Sequence, residues 1–241
     1  MAHTSSSATI ELANEMKKII RLSGSNYGEA IRRCLQIFES GGIVALPTDT
    51  LYGVVTTMSN ADKLYELKRR SQLKPLGLFV SNVREVGRWC HRQAIENSQL
   101  KTLLPGPVTL IFERSASLPS TFNPKHGTVG IRIPDHDFVR SLMIRLDDVP
   151  LAQTSANISN DQNNPACIED FKDLWPELDL IIDDGTVLRP DGKVNHEGST
   201  VVNLSIPGFY SIIRDGCART ATEKKLRDCG LISLSDGDYV Q

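Results

Sequence analysis

Two hydroxyls and a carboxylate stand together in Pro47-Thr48-Asp49-Thr50-Leu51-Tyr52-Gly53, directly after the apolar run Ile43 to Leu46. In a bend set by Pro and Gly at the mouth of a strand, such groups can grip a small polar substrate. The same residues also make an ordinary polar turn, with Asp49 capping a backbone N–H. Four cations follow within seven residues: Lys68, Arg69, Arg70 and Lys74. Cations offset the negative end of a helix dipole, but four exceed what one helix end requires, and Pro75 presents Lys74 rigidly beside the next strand. Charge-assisted hydrogen bonds of about 1.5 to 3 kcal/mol each would let these side chains hold a triphosphate.

Further polar groups sit at the ends of other apolar runs. Thr128-Val129-Gly130-Ile131-Arg132-Ile133-Pro134 places an arginine inside a strand-like segment. Arginine is seldom buried unpaired, so Arg132 meets either an internal carboxylate or an anionic ligand. Strand alternation puts it on the face of Gly130 and Pro134, where small side chains leave room. Thr154-Ser155-Ala156-Asn157 follows Leu151 to Gln153; such groups can hold adenine, ribose or an α-phosphate, or cap a short helix. Pro105-Gly106-Pro107-Val108-Thr109, Glu197-Gly198-Ser199-Thr200 and Ile213-Arg214-Asp215-Gly216 are each readable as a turn or as part of a site.

Several chemistries are excluded. There is no Gly-x4-Gly-Lys-Ser/Thr loop, no Gly-x-Gly-x-x-Gly turn and no Gly-x-Ser-x-Gly elbow, and His196-Glu197 lacks the second histidine of a zinc-protease helix. The cysteines Cys34, Cys90, Cys167, Cys217 and Cys229 form no Cys-x-x-Cys pair. With His91, His126, His136 and His196 they are expected to be structural, and no metal ligand is assigned. The 27 Lys and Arg against 29 Asp and Glu give a net charge of −2, which argues against life as a non-specific phosphate-backbone binder. No apolar run nears the roughly 20 residues that span a bilayer. Met1 to Ser7 lacks a signal peptide's apolar core, and Glu11 and Glu15 weaken an organelle-import reading of Lys17, Lys18 and Arg21. The expected location is the cytoplasm, with a mitochondrial fraction left open.

The elements that must position these groups alternate. Helical spacing runs through Ala30, Ile31, Cys34, Leu35 and Phe38 and stops at Gly41-Gly42. A second helix is predicted over Ala61 to Arg70 with Asn60 as N-cap, and others over Phe138 to Leu146 and Ile168 to Trp175. Strands are predicted at 43–46, 76–80, 108–112, 129–133, 151–153, 178–182, 200–204 and 210–213. Strands alternating with helices and closing on two strands in a row indicate an α/β domain with a mixed sheet. The polar stretches 160–165 and 185–198 read as loops edging a site. With 241 residues, one domain is favoured: a flexible leader or peripheral strand over 1–26, the domain over 27–217 and a tail over 218–241.

In this order the clusters resemble the YrdC-like family of threonylcarbamoyl-adenylate synthases, with seven collinear matches between about residues 28 and 217. The resemblance implies a twisted sheet with flanking helices around a large, positively charged cavity. It also implies L-threonine, bicarbonate or CO2 and ATP as substrates, with Mg²⁺. The product is threonylcarbamoyl-AMP, passed to a transferase complex that modifies an adenosine next to the anticodon of certain tRNAs. Carried over by position, it implies Thr50, Arg132, Thr154 and Ser199 around threonine, with Arg132 on the carboxylate. Lys68, Arg70, Lys74, Thr128, Ser155, Asn157 and Arg214 are implied around ATP, with Lys68 and Arg70 serving catalysis. Many members carry a histidine where this chain has Phe79. Two other readings stand beside it. An RNA-binding module would use the same cations, against which the acidic balance counts. A carbamoyl-transfer domain of hydrogenase maturation proteins would bring zinc-finger Cys-x-x-Cys pairs, which this chain lacks.

Overall fold

The computed structural model describes residues 17–69, 71–92, 95–158 and 164–234. In chain order the strands are β1 (Ile19–Arg21), β2 (Val44–Leu46), β3 (Gly53–Thr57), β4 (Gly77–Phe79), β5 (Cys90–His91), β6 (Val108–Arg114), β7 (Thr128–Arg132), β8 (Leu151–Ser155), β9 (Leu180–Asp183), β10 (Thr200–Asn203), β11 (Phe209–Arg214) and β12 (Ile232–Ser233). The helices are α1 (Tyr27–Glu39), α2 (Asp62–Leu67), α3 (Val83–Trp89), α4 (Asn97–Leu103), α5 (Asp137–Arg145) and α6 (Arg219–Asp228), with 3-10 turns at Met58–Asn60 and Ile168–Glu177.

The strands join one mixed sheet in the order β1-β9-β2-β3-β8-β4-β7-β6-β10-β11-β12, with β5 added to β6. Parallel pairs such as β4 with β7 and β6 with β10 sit beside antiparallel pairs such as β3 with β8 and β6 with β7. Alternation along each strand separates two cores. On one face Ala45, Val54, Leu78, Leu110, Ile131 and Ala152 pack under residues of α2, α3, α4, α6 and the long 3-10 segment. On the other face Val44, Leu46, Val55, Leu151, Leu180 and Ile182 pack against Ala30, Cys34 and Phe38 of α1 and Phe138, Val139 and Leu142 of α5. The i, i+4 spacing of Ala30, Cys34 and Phe38 gives α1 its single buried stripe, and Gly41, at φ 71°, ends it.

Helices α1 and α5 cover only part of their face. Over β4, β7, β6 and β10 the alternate residues pointing the same way are Gly77, Gly130, Thr109 and Val201, and here the sheet lines a cavity. Small residues make the concavity. A Cβ on Gly77 would lie 2.2 Å from Gln153 Nε2, so the glutamine side chain crosses above this strand only because position 77 is glycine.

Several boundaries differ from those the sequence suggests. Residues 19–21, expected in a flexible leader or a peripheral strand, form an edge strand parallel to β9, and residues 219–228, expected in the tail, form α6 with Thr222 and Leu226 buried. Helix α2 stops at Leu67, and Asn60, expected as its cap, donates instead to Thr57 Oγ1 at 2.7 Å. The helix expected over 168–175 is a 3-10 segment broken at Phe171 (φ −127°, ψ 31°).

Candidate active site

The cavity encloses about 410 Å³, within the usual range for small-molecule sites. Its wall gathers Thr50, Thr128, Arg132, Thr154, Ser155, Ser199 and Arg214, seven residues singled out from sequence, together with Phe79. They come from β4, β7, β8, β11 and the loops before β3 and β10. Among the described residues the charged side chains on the wall are Arg132, Arg214, Glu197 and Asp215.

At one end, the bend after β2 is tied by its own threonine. Thr48 Oγ1 accepts from the backbone N–H groups of Thr50 and Leu51 at 3.1 and 3.2 Å and donates to Leu51 O at 2.6 Å. Asn195 Nδ2 donates to Thr50 O at 2.9 Å, pinning the bend to the 185–198 loop. Arg132, at the end of β7 and 5% exposed, points into this bend. Its Nη2 donates to Thr50 Oγ1 at 2.9 Å and to Asp49 Oδ1 in a buried ion pair. Of the two partners that the sequence allows for Arg132, the internal carboxylate is therefore present, and Asp49 serves the guanidinium. Arg132 Nε and Asp49 Oδ2 remain buried without a hydrogen-bond partner. Phe79, in register with Arg132 across the β4–β7 pair, sets its ring 6.0 Å from the guanidinium carbon, the outer limit of a cation–π contact.

The opposite end is organised by Lys68. Just past α2 and 1% exposed, it donates from Nζ to Ser155 O at 2.5 Å, to Asn157 Oδ1 at 3.0 Å and to Ser155 Oγ at 3.4 Å. Ser155 Oγ in turn donates to Asn157 Oδ1 at 2.6 Å. Lys68 and Asn157 thus stand behind Ser155, which itself lines the cavity. Lys74 is exposed, next to Pro75 on the wall. Arg70 lies outside the described residues.

A third group closes the rim. Arg214 donates from Nη2 to Ser199 O at 2.8 Å and to Ser199 Oγ at 3.1 Å, and the hydroxyls of Ser199 and Thr109 are 2.9 Å apart. The turn at 105–107 aligns these strands, with Gly106 N donating to Ile133 O and Thr200 N to Pro107 O. Asn164 and His196, from the two polar stretches expected to edge a site, also line the cavity, although His196 was expected to be structural, and so does Gln153, which sequence reasoning missed. Gln153 was within reach: in β8 it shares the face of Ser155 and opposes Gly77.

Three of the cysteines are poor nucleophiles. Burial pushes the Cys34 and Cys90 thiols up to about 12 and, as the largest of several causes, Cys167 up to about 11. Among the described residues no group of three or more His, Cys, Asp or Glu side chains is placed to hold a metal ion.

A family model named Sua5/YciO/YrdC and described as "Telomere recombination" matches residues 36–216. A threonylcarbamoyl-AMP synthase of Bos taurus is 43% identical over 229 residues, covering 89% of this chain and 82% of that protein. One of Homo sapiens is 43% identical over 219 residues, covering 85% of this chain and 77% of that protein. The crystal structure of P. abyssi Sua5 complexed with L-threonine shares the fold, with a TM-score of 0.73 at 23% identity over 89% of this chain and 61% of that one.

Proposed function

The chain belongs to the Sua5/YciO/YrdC family, and from that membership we infer that it is a threonylcarbamoyl-AMP synthase. It joins L-threonine, bicarbonate or CO2 and ATP, releasing pyrophosphate. The observation that carries the assignment of roles is Arg132: a buried guanidinium on a cavity wall, with two threonine hydroxyls within reach.

At this end we assign Arg132 to the substrate carboxylate, with Thr50 Oγ1 beside it; Thr154 and Ser199, elsewhere on the cavity wall, are assigned to the rest of the threonine. The threonine amine loses a proton and adds to CO2, forming a carbamate and releasing H⁺; a guanidinium nearby favours the neutral amine and the anionic product. A carbamate oxygen then attacks the α-phosphorus of ATP, the bond to the bridging oxygen breaks, and pyrophosphate leaves. The oxygen is a weak nucleophile, so the protein acts chiefly by holding it in line and by countering charge on the leaving group. We assign the second task to Arg214 and Thr128 on the wall and to Lys74 and Arg70 from the adjoining segment, with Lys68, held behind Ser155 by Ser155 and Asn157, adding its positive charge from the second layer. Mg²⁺ held by the nucleotide's own phosphate oxygens and water would supply further neutralisation of the phosphates. The mixed anhydride is a threonylcarbamoyl donor, consumed by a transferase acting on a tRNA adenosine.

Pyrophosphate release from ATP, measured with threonine and bicarbonate each omitted in turn, tests this reading. Release should require both and fall by at least about a hundredfold in Arg132→Ala. Release indifferent to threonine would contradict it.

A further inference from the structure

The middle of the cavity floor carries a polar side chain to which the reaction above gives no task. On this face β7 presents Thr128, Gly130 and Arg132, and β8 presents Gln153 and Ser155. Gln153 pairs with Gly77 of β4, which pairs in turn with Gly130 of β7. Phe79 and Arg132 form the next row on one side, and Ser155 and Thr128 lie two residues along their strands on the other. Gln153 therefore stands between the residues assigned to the threonine carboxylate and those assigned to the nucleotide, about 7 Å from each row along the strands.

Two glycines let its side chain reach over the floor. A Cβ on Gly77 would collide with Gln153 Nε2 and lie 3.2 Å from its Cδ, so the carboxamide extends across β4 rather than along β8. Gly130, next across the sheet, adds no side chain in its way. The carboxamide lines the cavity and makes no hydrogen bond among the described residues. Its N–H groups and its carbonyl oxygen are thus left for whatever fills the space above it.

We propose that Gln153 is a further substrate-contacting residue of this reaction, its carboxamide pairing with the threonine carbamate. The inference deepens the synthase reading and rests on it. A carbamate carries an N–H and a carboxylate oxygen side by side in one plane, the complement of a primary carboxamide. Nε2–H donates to that oxygen and Oε1 accepts from the carbamate N–H. Free threonine has an ammonium in this place and completes only the second of these bonds. Adenine also presents a donor beside an acceptor, but it lies beyond the ribose, on the side of the α-phosphate away from threonine. The pairing fixes the plane of the carbamate and leaves its second oxygen to attack the α-phosphorus. As that O–P bond forms, the bond to the bridging oxygen breaks and its electron pair leaves with pyrophosphate; Gln153 neither gains nor loses a proton.

The test is pyrophosphate release by the whole chain against bicarbonate concentration, at saturating ATP and threonine, beside separate calorimetric titrations with threonine and with ATP. Gln153→Met keeps length and bulk over Gly77 but offers no N–H donor and only a weak acceptor. It should lower kcat/KM for bicarbonate about ten- to a hundredfold while leaving the threonine and ATP Kd values within about threefold. Gly77→Ala displaces the carboxamide without changing its chemistry and should lower the same constant at least about threefold, with little further loss when added to Gln153→Met. An unchanged bicarbonate constant in Gln153→Met overturns the proposal. So does a raised ATP Kd with that constant intact, which would set adenine against the carboxamide, and so does equal weakening of threonine and ATP, the mark of a structural role. Should Gln153→Met not fold, Gln153→Glu replaces it: a carboxylate of the same length only accepts and repels the carbamate, so the constant should fall at least about tenfold, and an unmoved one is contrary evidence. Wild-type release that ignores threonine or bicarbonate removes the synthase reading itself, whereas release that needs both and is unaffected in the variants removes this inference alone.

Discussion

The two ends of the cavity hold their cations differently. Arg132 belongs to a strand, and a carboxylate and two hydroxyls from a tightly hydrogen-bonded bend surround its guanidinium. Lys68 belongs to the exit of a six-residue helix and donates to oxygens at and just past the end of β8, while Lys74, the last cation of the same cluster, is exposed. The first arrangement is rigid and nearly enclosed, which suits a small amino acid that must be told from its neighbours by shape. The second grades from a buried ammonium to exposed charge, which suits a triphosphate reaching in from solvent. Specificity is thus expected from the Arg132 end, and affinity that responds to salt from the other.

The sharpest way to break this contrast is Arg132→Ala. It strands Asp49 as a buried charge, so it should lower stability by about 3 to 5 kcal/mol in urea unfolding as well as abolish threonine-dependent turnover. Arg132→Lys keeps the charge but not the fork, and should fold while binding threonine about ten- to a hundredfold more weakly. Next in size is Lys68→Met, for which losing charge-assisted bonds should raise the ATP Kd about ten- to a hundredfold, read by nucleotide titration, with threonine affinity little changed.

A smaller effect concerns acid stability. Burial lowers His136 in the folded state from an ordinary value of 6.5, so the unfolded chain binds its proton first. Stability is then lost as pH falls from about 6.5 toward the lowered value and levels off below it. Urea midpoints at stepped pH should show this slope in the wild type, and His136→Gln should reduce it. Smallest is Lys74→Ala, an exposed cation worth about 1 kcal/mol or less. It should weaken ATP binding by no more than about fivefold at low ionic strength, with the difference fading as salt is added. A salt-insensitive loss there would erase the distinction between the two ends.

Much of this was legible in the chain itself. Arg132 announces its importance by being a lone guanidinium among Val129, Ile131 and Ile133, and the period-2 pattern assigns it to the face of Gly130. Helix α1 reads directly from the spacing of Ala30, Cys34 and Phe38. Helices α3 and α4 did not read, since Val83, Val86 and Trp89, and Leu100 and Leu103, make stripes of only two turns. Strand β1 was obscured because Ile19 and Ile20 are too short a run to distinguish from a leader, and only pairing with β9 reveals it. The Asp49–Arg132 pair joins residues 83 positions apart, and local pattern does not reach that far. The contact of His136 with Asp184 was hidden for the same reason, since the carboxylate is brought to it from the end of β9.

The division of labour is tested most directly by measuring L-threonine and ATP affinities separately, by calorimetry, in the wild type, Arg132→Lys and Lys68→Met. The expected result is a double dissociation: Arg132→Lys loses threonine and keeps ATP within about threefold, while Lys68→Met loses ATP and keeps threonine. If each variant weakens both ligands alike, or if the losses are exchanged, the cavity does not have the two ends described.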